Sequence, residues 1–307
     1  MRLHEVERGD TFSTRLLFNF ISFVSGMRLP DAARIVMYDK DFYGEPMVSW
    51  THSAMRGLSK WSVGERELMA AMTAKWNACA FCIAAHSAIA SLAMDKSVVQ
   101  ATLSDFRGAP LTDRVKAVLV FLEKLALRPG EVSTEDARLA VAAGLSREEM
   151  EDAMAVLTLF VITVRCADTF SFALLNDKEL EKSAKRMLAQ GYAFGKAKTP
   201  PHPDHFALAE ALRQRVLLGP GVTYPGLRQR MAKRAAGGTT IDDPYDGLAG
   251  QIGEAAYKVT EDLVARVVQQ AGSEKAAFEL ITAAAVGAGL YRWDVGLAAL
   301  SELSIFA

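Results

Sequence analysis

The stretch with the most chemical content in this sequence is Cys79-Ala-Phe-Cys82-Ile-Ala-Ala-His86, two thiols separated by two residues with an imidazole a helical turn further on. If a helix begins at Asn77, a natural N-cap, Cys79 falls in its first turn, where unpaired backbone N–H groups and the positive end of the macrodipole favour a thiolate. Cys79, Cys82 and His86 then project from one face of the helix, because 3.6 residues make a turn. A disulfide between the two cysteines is geometrically plausible there, and His86 is placed to act as a base toward Cys82. Glu67 lies on the preceding helix with Ala70, Ala71 and Ala74 on its own face. A carboxylate on so small-sided a stripe faces a closely packed neighbouring helix and can orient or charge-balance His86.

Plainer roles fit the same residues. The cysteines can be inert buried thiols or part of a zinc site, although zinc would draw three ligands from one helix and need Glu67 as the fourth, whereas structural zinc sites gather ligands from separate elements. His86 can be a satisfied core histidine. Glu67 belongs to the charge run Glu65-Arg66-Glu67, of a kind that coats a solvated helix start. Cys166, among Val161, Ile162, Val164 and Phe170, reads as core packing, and Arg165 with Asp168 as a buried or interfacial ion pair.

The elements that must position these groups read as helices. Ala, Leu, Met, Glu, Lys and Arg dominate, and no alternating Val/Ile/Thr runs bounded by turn residues occur, so the fold class is all-α. Pro30 and Pro46 suit first-turn positions, Ser62 with Glu65 and Ser146 with Glu149 form capping boxes, and Gly26, Pro129-Gly130 and Gly144 are stops. The expected helices are 12–25, 31–39, 46–58, 63–76, 78–93, 96–105, 113–127, 134–143, 147–175 and a charged 178–190. The cysteine helix, apolar nearly all round, is expected to be buried in the bundle.

Glycine and proline in 191–203 mark a linker between a site-bearing domain, 1–190, and an all-α part, 204–307, with helices near 205–217, 224–236, 244–256, 260–271 and 274–303. This second part lacks the cysteine pair. It echoes the first: Val132-Ser-Thr-Glu-Asp precedes a short helix, Gly144 and a long apolar helix with Arg165 and Asp168, while Val259-Thr-Glu-Asp precedes a short helix, Gly272 and a long apolar helix with Arg292 and Asp294. A degenerate internal repeat is suspected.

Half of the 307 residues are apolar, enough for a substantial core, and 35 Lys and Arg against 36 Asp and Glu leave a net charge of -1. Such a balance offers no field for nucleic acid or an anionic membrane. The cations Arg213, Arg215, Arg228, Arg230, Lys233 and Arg234 read as scattered charges on a solvated face, and His52, His202 and His205 have no evident partner. Phe12–Gly26 is interrupted by Arg15 and Asn19 and reads as an amphipathic helix, not a signal peptide, which points to the cytoplasm, where lasting disulfides are rare. The long apolar helices 147–175 and 274–303 suggest a homo-oligomer.

The spacing Glu67, eleven residues, Cys79, two residues, Cys82, three residues, His86 resembles the active-site signature of the alkylhydroperoxidase D branch of the carboxymuconolactone decarboxylase superfamily. The Pro46-led helix, the Leu58–Ser62 connection, Glu65-Arg-Glu-Leu and the helices around Gly144 are also similar, so the resemblance covers about residues 35–180. It implies an all-α bundle that assembles through its long helices and reduces organic hydroperoxides without haem, flavin or metal. Cys82 would be the peroxidatic thiol, Cys79 the resolving thiol, His86 the base and Glu67 a proton relay, with a dithiol protein or lipoyl-type carrier as reductant. Phe81 stands where the best-known members carry a second His, so one member of their relay is missing here. Two other roles remain open: a lyase of the carboxymuconolactone decarboxylase kind, whose relatives do not depend on a cysteine pair, and a non-catalytic redox sensor or scaffold.

Overall fold

Ser62 and Glu65 cap a helix as their spacing predicts, Ser62 Oγ accepting from the Glu65 N–H at 3.2 Å and the Glu65 carboxylate accepting from the Ser62 N–H at 2.8 Å. Ser146 and Glu149 form the same reciprocal pair at 3.3 and 2.9 Å. Such caps start the helices of a computed structural model that describes residues 1–193 and 201–303.

In chain order the helices are α1 (His4–Arg8), α2 (Phe12–Ser25), α3 (Asp31–Tyr38), α4 (Glu45–Arg56), α5 (Val63–Trp76), α6 (Ala80–Ala93), α7 (Lys96–Asp105) and α8 (Asp113–Leu127). There follow α9 (Thr134–Ala142), α10 (Arg147–Phe170), α11 (Asp177–Gln190), α12 (His205–Arg213), α13 (Pro225–Ala235), α14 (Tyr245–Ala255), α15 (Glu261–Ala271) and α16 (Glu274–Leu303). Short π-helical turns at Lys40–Gly44 and Gln214–Leu218 adjoin α4 and α12, and no strand occurs among the described residues. The protein is all-α. The helix expected over 147–175 ends at Phe170, because Ser171 turns into the left-handed region at φ 58°.

Two compact units divide the described chain, one comprising 50–161, 180–206 and 289–303, the other 1–49, 162–179 and 207–288. Both are discontinuous in sequence, whereas the sequence reading divides the chain once, at 191–203, a stretch of which residues 194–200 lie outside those described. The reason is helix length. At about 1.5 Å per residue, α10 and α16, with 24 and 30 residues, are long enough to contribute one end to each unit. The apolar window of α10 is long enough to cross a membrane, yet 89% of it is buried inside the protein, as in a core helix. Large apolar side chains are instead exposed on α2, at Phe12, Leu16, Phe20 and Phe23.

Both units contain the same arginine arrangement. In one, Arg292 Nε donates to the carbonyl of Ala126 at 2.9 Å; in the other, Arg165 Nη2 donates to the carbonyl of Gly253 at 2.9 Å. The arginines stand 127 positions apart, and so do the carbonyls and the short 3-10 turns Pro129–Glu131 and Ala256–Lys258 that follow α8 and α14. Matching bonds at a matching interval support the internal repeat suspected from the sequence. They make α14, α15 and α16 the counterparts of α8, α9 and α10.

Candidate active site

The local structure that delivers the cysteines is the α5–α6 hairpin. Small residues let its helices approach: Ala70, Ala71, Ala74 and Ala90 are fully buried, and a Cβ on Gly64 would stand 3.2 Å from Met94 Cβ and 3.3 Å from the Ala93 carbonyl. Leu68, Ala90 and Val99 form a core that ties in α7. The turn is tighter than expected. Asn77, the predicted N-cap of α6, is the C-cap of α5, with its Nδ2 donating to the Thr73 carbonyl at 2.8 Å; Ala78 turns at φ 57°, and Cys79 itself is the N-cap. The chain has three residues in which to reverse, so the cap moves to the first extended residue after the left-handed one.

That shift puts Cys82, not Cys79, inside the first turn of α6, where backbone N–H groups lack intrahelical partners and negative charge is favoured. The buried residues of α6 are Cys82, His86, Ile89 and Ala90, a single stripe at helical spacing that faces inward. The rest of α6 is partly exposed, so an alanine-rich helix that is apolar by composition is buried on one side only. Cys79 and Cys82 are not joined in a disulfide and are exposed by 0% and 1%.

Glu67, on α5, is fully buried and does not coat a solvated helix start. Its Oε2 stands 2.8 Å from His86 Nδ1, so the carboxylate and imidazole expected to meet do meet. Three further contacts complete the cluster. Arg56 Nη2, from α4, donates to Glu67 Oε1 at 2.8 Å, and the Tyr192 hydroxyl lies 2.9 and 3.1 Å from the two carboxylate oxygens. The edge of Phe160 meets the His86 ring at a centroid distance of 4.3 Å. Burial alone would raise the Glu67 carboxyl, but the hydrogen bond and charge of His86, together with Arg56, hold it below its ordinary value. The phenol of Tyr192 is pushed well above its ordinary value, first by burial and then by the charge of Glu67.

No family model matches the chain, and no curated protein matches it. Among solved structures it is similar to the alkylhydroperoxidase AhpD core of an uncharacterized peroxidase-related protein from Ralstonia eutropha JMP134, with 20% identity and a TM-score of 0.47 over 57% of this chain and 90% of that one. It is also similar to an uncharacterized peroxidase-related protein from Silicibacter sp. TM1040, with 22% identity and a TM-score of 0.48 over 57% and 91% of the two chains.

Sequence reasoning missed Arg56 and Tyr192. Arg56 reads as an ordinary last-turn cation, and Tyr192 falls in the stretch assigned to the linker. The histidines that lacked evident partners have them. His205 accepts from Trp50 Nε1 at Nδ1, 3.0 Å, and donates from Nε2 to Asp152 Oδ1, 3.0 Å, while Ser59 Oγ lies 2.5 Å from the other oxygen of Asp152. His202 Nε2 lies between Glu148 and Asp152 at 3.1 and 3.2 Å. His52 Nδ1 accepts from the Tyr192 N–H at 3.3 Å. Arg228, expected on a solvated face, is wholly buried. Cys166 is core as expected, its Sγ 3.7 Å from the Tyr43 hydroxyl.

Proposed function

We propose that the chain is a thiol-dependent peroxidase of the alkylhydroperoxidase D type, reducing small organic hydroperoxides through Cys82 and Cys79. The observation that carries this reading is the buried contact between Nδ1 of His86, on the helix that Cys79 caps and whose first turn holds Cys82, and Oε2 of Glu67 on α5. With Nδ1 directed at a carboxylate, its proton resides there, and Nε2 is the basic nitrogen left to serve a thiol.

Cys82 passes its proton to His86, and the thiolate attacks the terminal peroxide oxygen; the O–O bond breaks, Cys82 becomes a sulfenic acid, and the alkoxide takes the proton back from His86 and leaves as the alcohol. Cys79 then attacks the sulfenic sulfur, releasing water and forming the Cys79–Cys82 disulfide. An external dithiol, of protein or lipoyl type, returns both sulfurs to thiols and is itself oxidised. Because Cys82 is 1% exposed, an oxidant reaches it through local opening, which favours small peroxides.

The test is stopped-flow loss of cumene or tert-butyl hydroperoxide on reduced protein. Wild type is expected to consume one equivalent in a burst, and Cys82→Ser none. Equal rates for the two proteins would remove the assignment, and a sulfenic acid trapped on Cys82 in the Cys79→Ser protein would support it.

A further inference from the structure

We propose that Arg56 and Tyr192 are positioning residues which clamp Glu67 as a permanent carboxylate, so that His86 exchanges the Cys82 proton while Glu67 holds the imidazole and relays nothing. This inference rests on the peroxidase reading for its purpose, although its geometry does not.

A wholly buried carboxylate is costly unless donors satisfy it. Glu67 has three: Arg56 Nη2 and the Tyr192 hydroxyl on Oε1, and His86 Nδ1 with the same hydroxyl on Oε2. The clamp is braced on itself. Arg56 Nη2 also donates to the Met187 carbonyl at 2.9 Å, its guanidinium lies 5.1 Å from the Tyr192 ring centroid, and the Tyr192 ring stacks on His86 with planes 11° apart. Of these partners Arg56 can only donate and carries a positive charge, so its contact with Oε1 favours the ionised form.

Arg56 cancels Glu67, and moving a proton from Cys82 to His86 leaves the cluster neutral overall. In a low-dielectric interior that exchange is far less costly than one that creates a net charge. Without the arginine, Glu67 either takes a proton, depriving His86 of its counter-ion, or stays ionised and opposes the thiolate; both raise the threshold for ionising Cys82. Among the described residues, His52 on α4 and Arg66 on α5 also face the cluster, and Cys82 acts on Tyr192 through space.

The backbone is arranged for this delivery. Gly191 follows α11 at φ 70°, and a Cβ there would lie 2.9 Å from Arg56 Cγ and from the His52 ring. The left-handed turn and the close approach both call for glycine, and the next residue is the tyrosine.

The test measures the rate of Cys82 alkylation by iodoacetamide against pH in reduced protein carrying Cys79→Ser, read by mass spectrometry. Arg56→Met is expected to lower the rate at pH 7 by about tenfold to a hundredfold, with the high-pH plateau unchanged, and Arg56→Lys to recover most of the loss. Tyr192→Phe removes one oxygen and is expected to lower the neutral-pH rate several-fold in the same direction. Should Arg56→Met fail to fold, Tyr192→Phe still decides: a profile superimposable on the parent overturns the proposal. A displaced profile together with no peroxide consumption by wild type would sink the peroxidase reading and leave the clamp standing. Peroxide consumption with unchanged profiles would do the reverse.

Discussion

Arg66 and Arg228 make the same pair of bonds at different places in the chain: each reaches back to the carbonyls nine and twelve residues earlier. Arg66 Nη1 donates to Gly57 at 2.9 Å and Ala54 at 3.0 Å, and Arg228 donates to Gly219 through Nη2 and to Val216 through Nε at 2.8 Å. Each also has a buried acid from the long helix that follows, Asp152 acting on Arg66 through space and Glu279 standing 3.5 Å from Arg228. Asp152 and Glu279 are again 127 positions apart. The repeat thus extends to α5 and α13, and the second copy runs from α13 to α14 with no equivalent of α6 and α7 between them. The helix it lacks is the one with the cysteines.

These arginines close helix ends. Arg66→Met and Arg228→Met should each lower stability by about 3 kcal/mol, because two carbonyls lose their donor and a buried acid loses a nearby positive charge. Urea unfolding checks this as a lowered midpoint at constant slope; an unchanged midpoint for Arg228→Met would refute the latch.

Cys166 should be silent. It is fully buried, and burial pushes its thiol up to about 12 in spite of the Tyr43 hydroxyl and the nearby Arg165. Alkylation of native protein at pH 8 is expected to leave Cys166 unmodified while Cys82 reacts, and Cys166→Ala to keep peroxide consumption within about twofold. Peptide mapping decides the first point and stopped-flow the second.

Acid should unfold the site-bearing unit through identifiable groups. Glu67 and Asp152 are both held below their ordinary values of 4.5 and 3.8, against their own burial, by His86 with Arg56 and by His205 with Ser59. A carboxyl depressed on folding contributes stability that is complete above its unfolded value and is lost as pH falls through its folded value. Melting temperature is therefore expected to be level near neutrality and to drop below about pH 4.5. Glu67→Gln should be less stable than wild type at pH 7 and nearer to it at pH 3; parallel curves would contradict the assignment.

Trp50 and His202 should differ in weight although both belong to the Asp152 cluster. Trp50→Phe leaves His205 Nδ1 buried without its donor and is expected to cost about 2 kcal/mol. His202 is 39% exposed, so His202→Ala should cost less than about 1 kcal/mol. Paired unfolding curves measure both, and equal losses would show that burial does not set the ranking.

The sequence by itself determined that the chain is helical and where most helices begin, and it paired Glu67 with His86, which meet. Helicity and helix starts are local facts, since caps and periodicity act within a turn or two, whereas Glu67 meets His86 from 19 residues away across the α5–α6 turn. Even the shifted start of α6 lies within three residues of the position expected, and the interval between the arginines was readable from matching segments. Tertiary structure decided the rest. Arg56 and Tyr192 meet Glu67 from 11 and 125 residues away, and Trp50 and Asp152 meet His205 from 155 and 53, distances at which no spacing rule operates. An arginine in a last turn and a tyrosine after a glycine look ordinary in one dimension. They become a carboxylate clamp only when packing removes water and leaves a buried charge in need of donors.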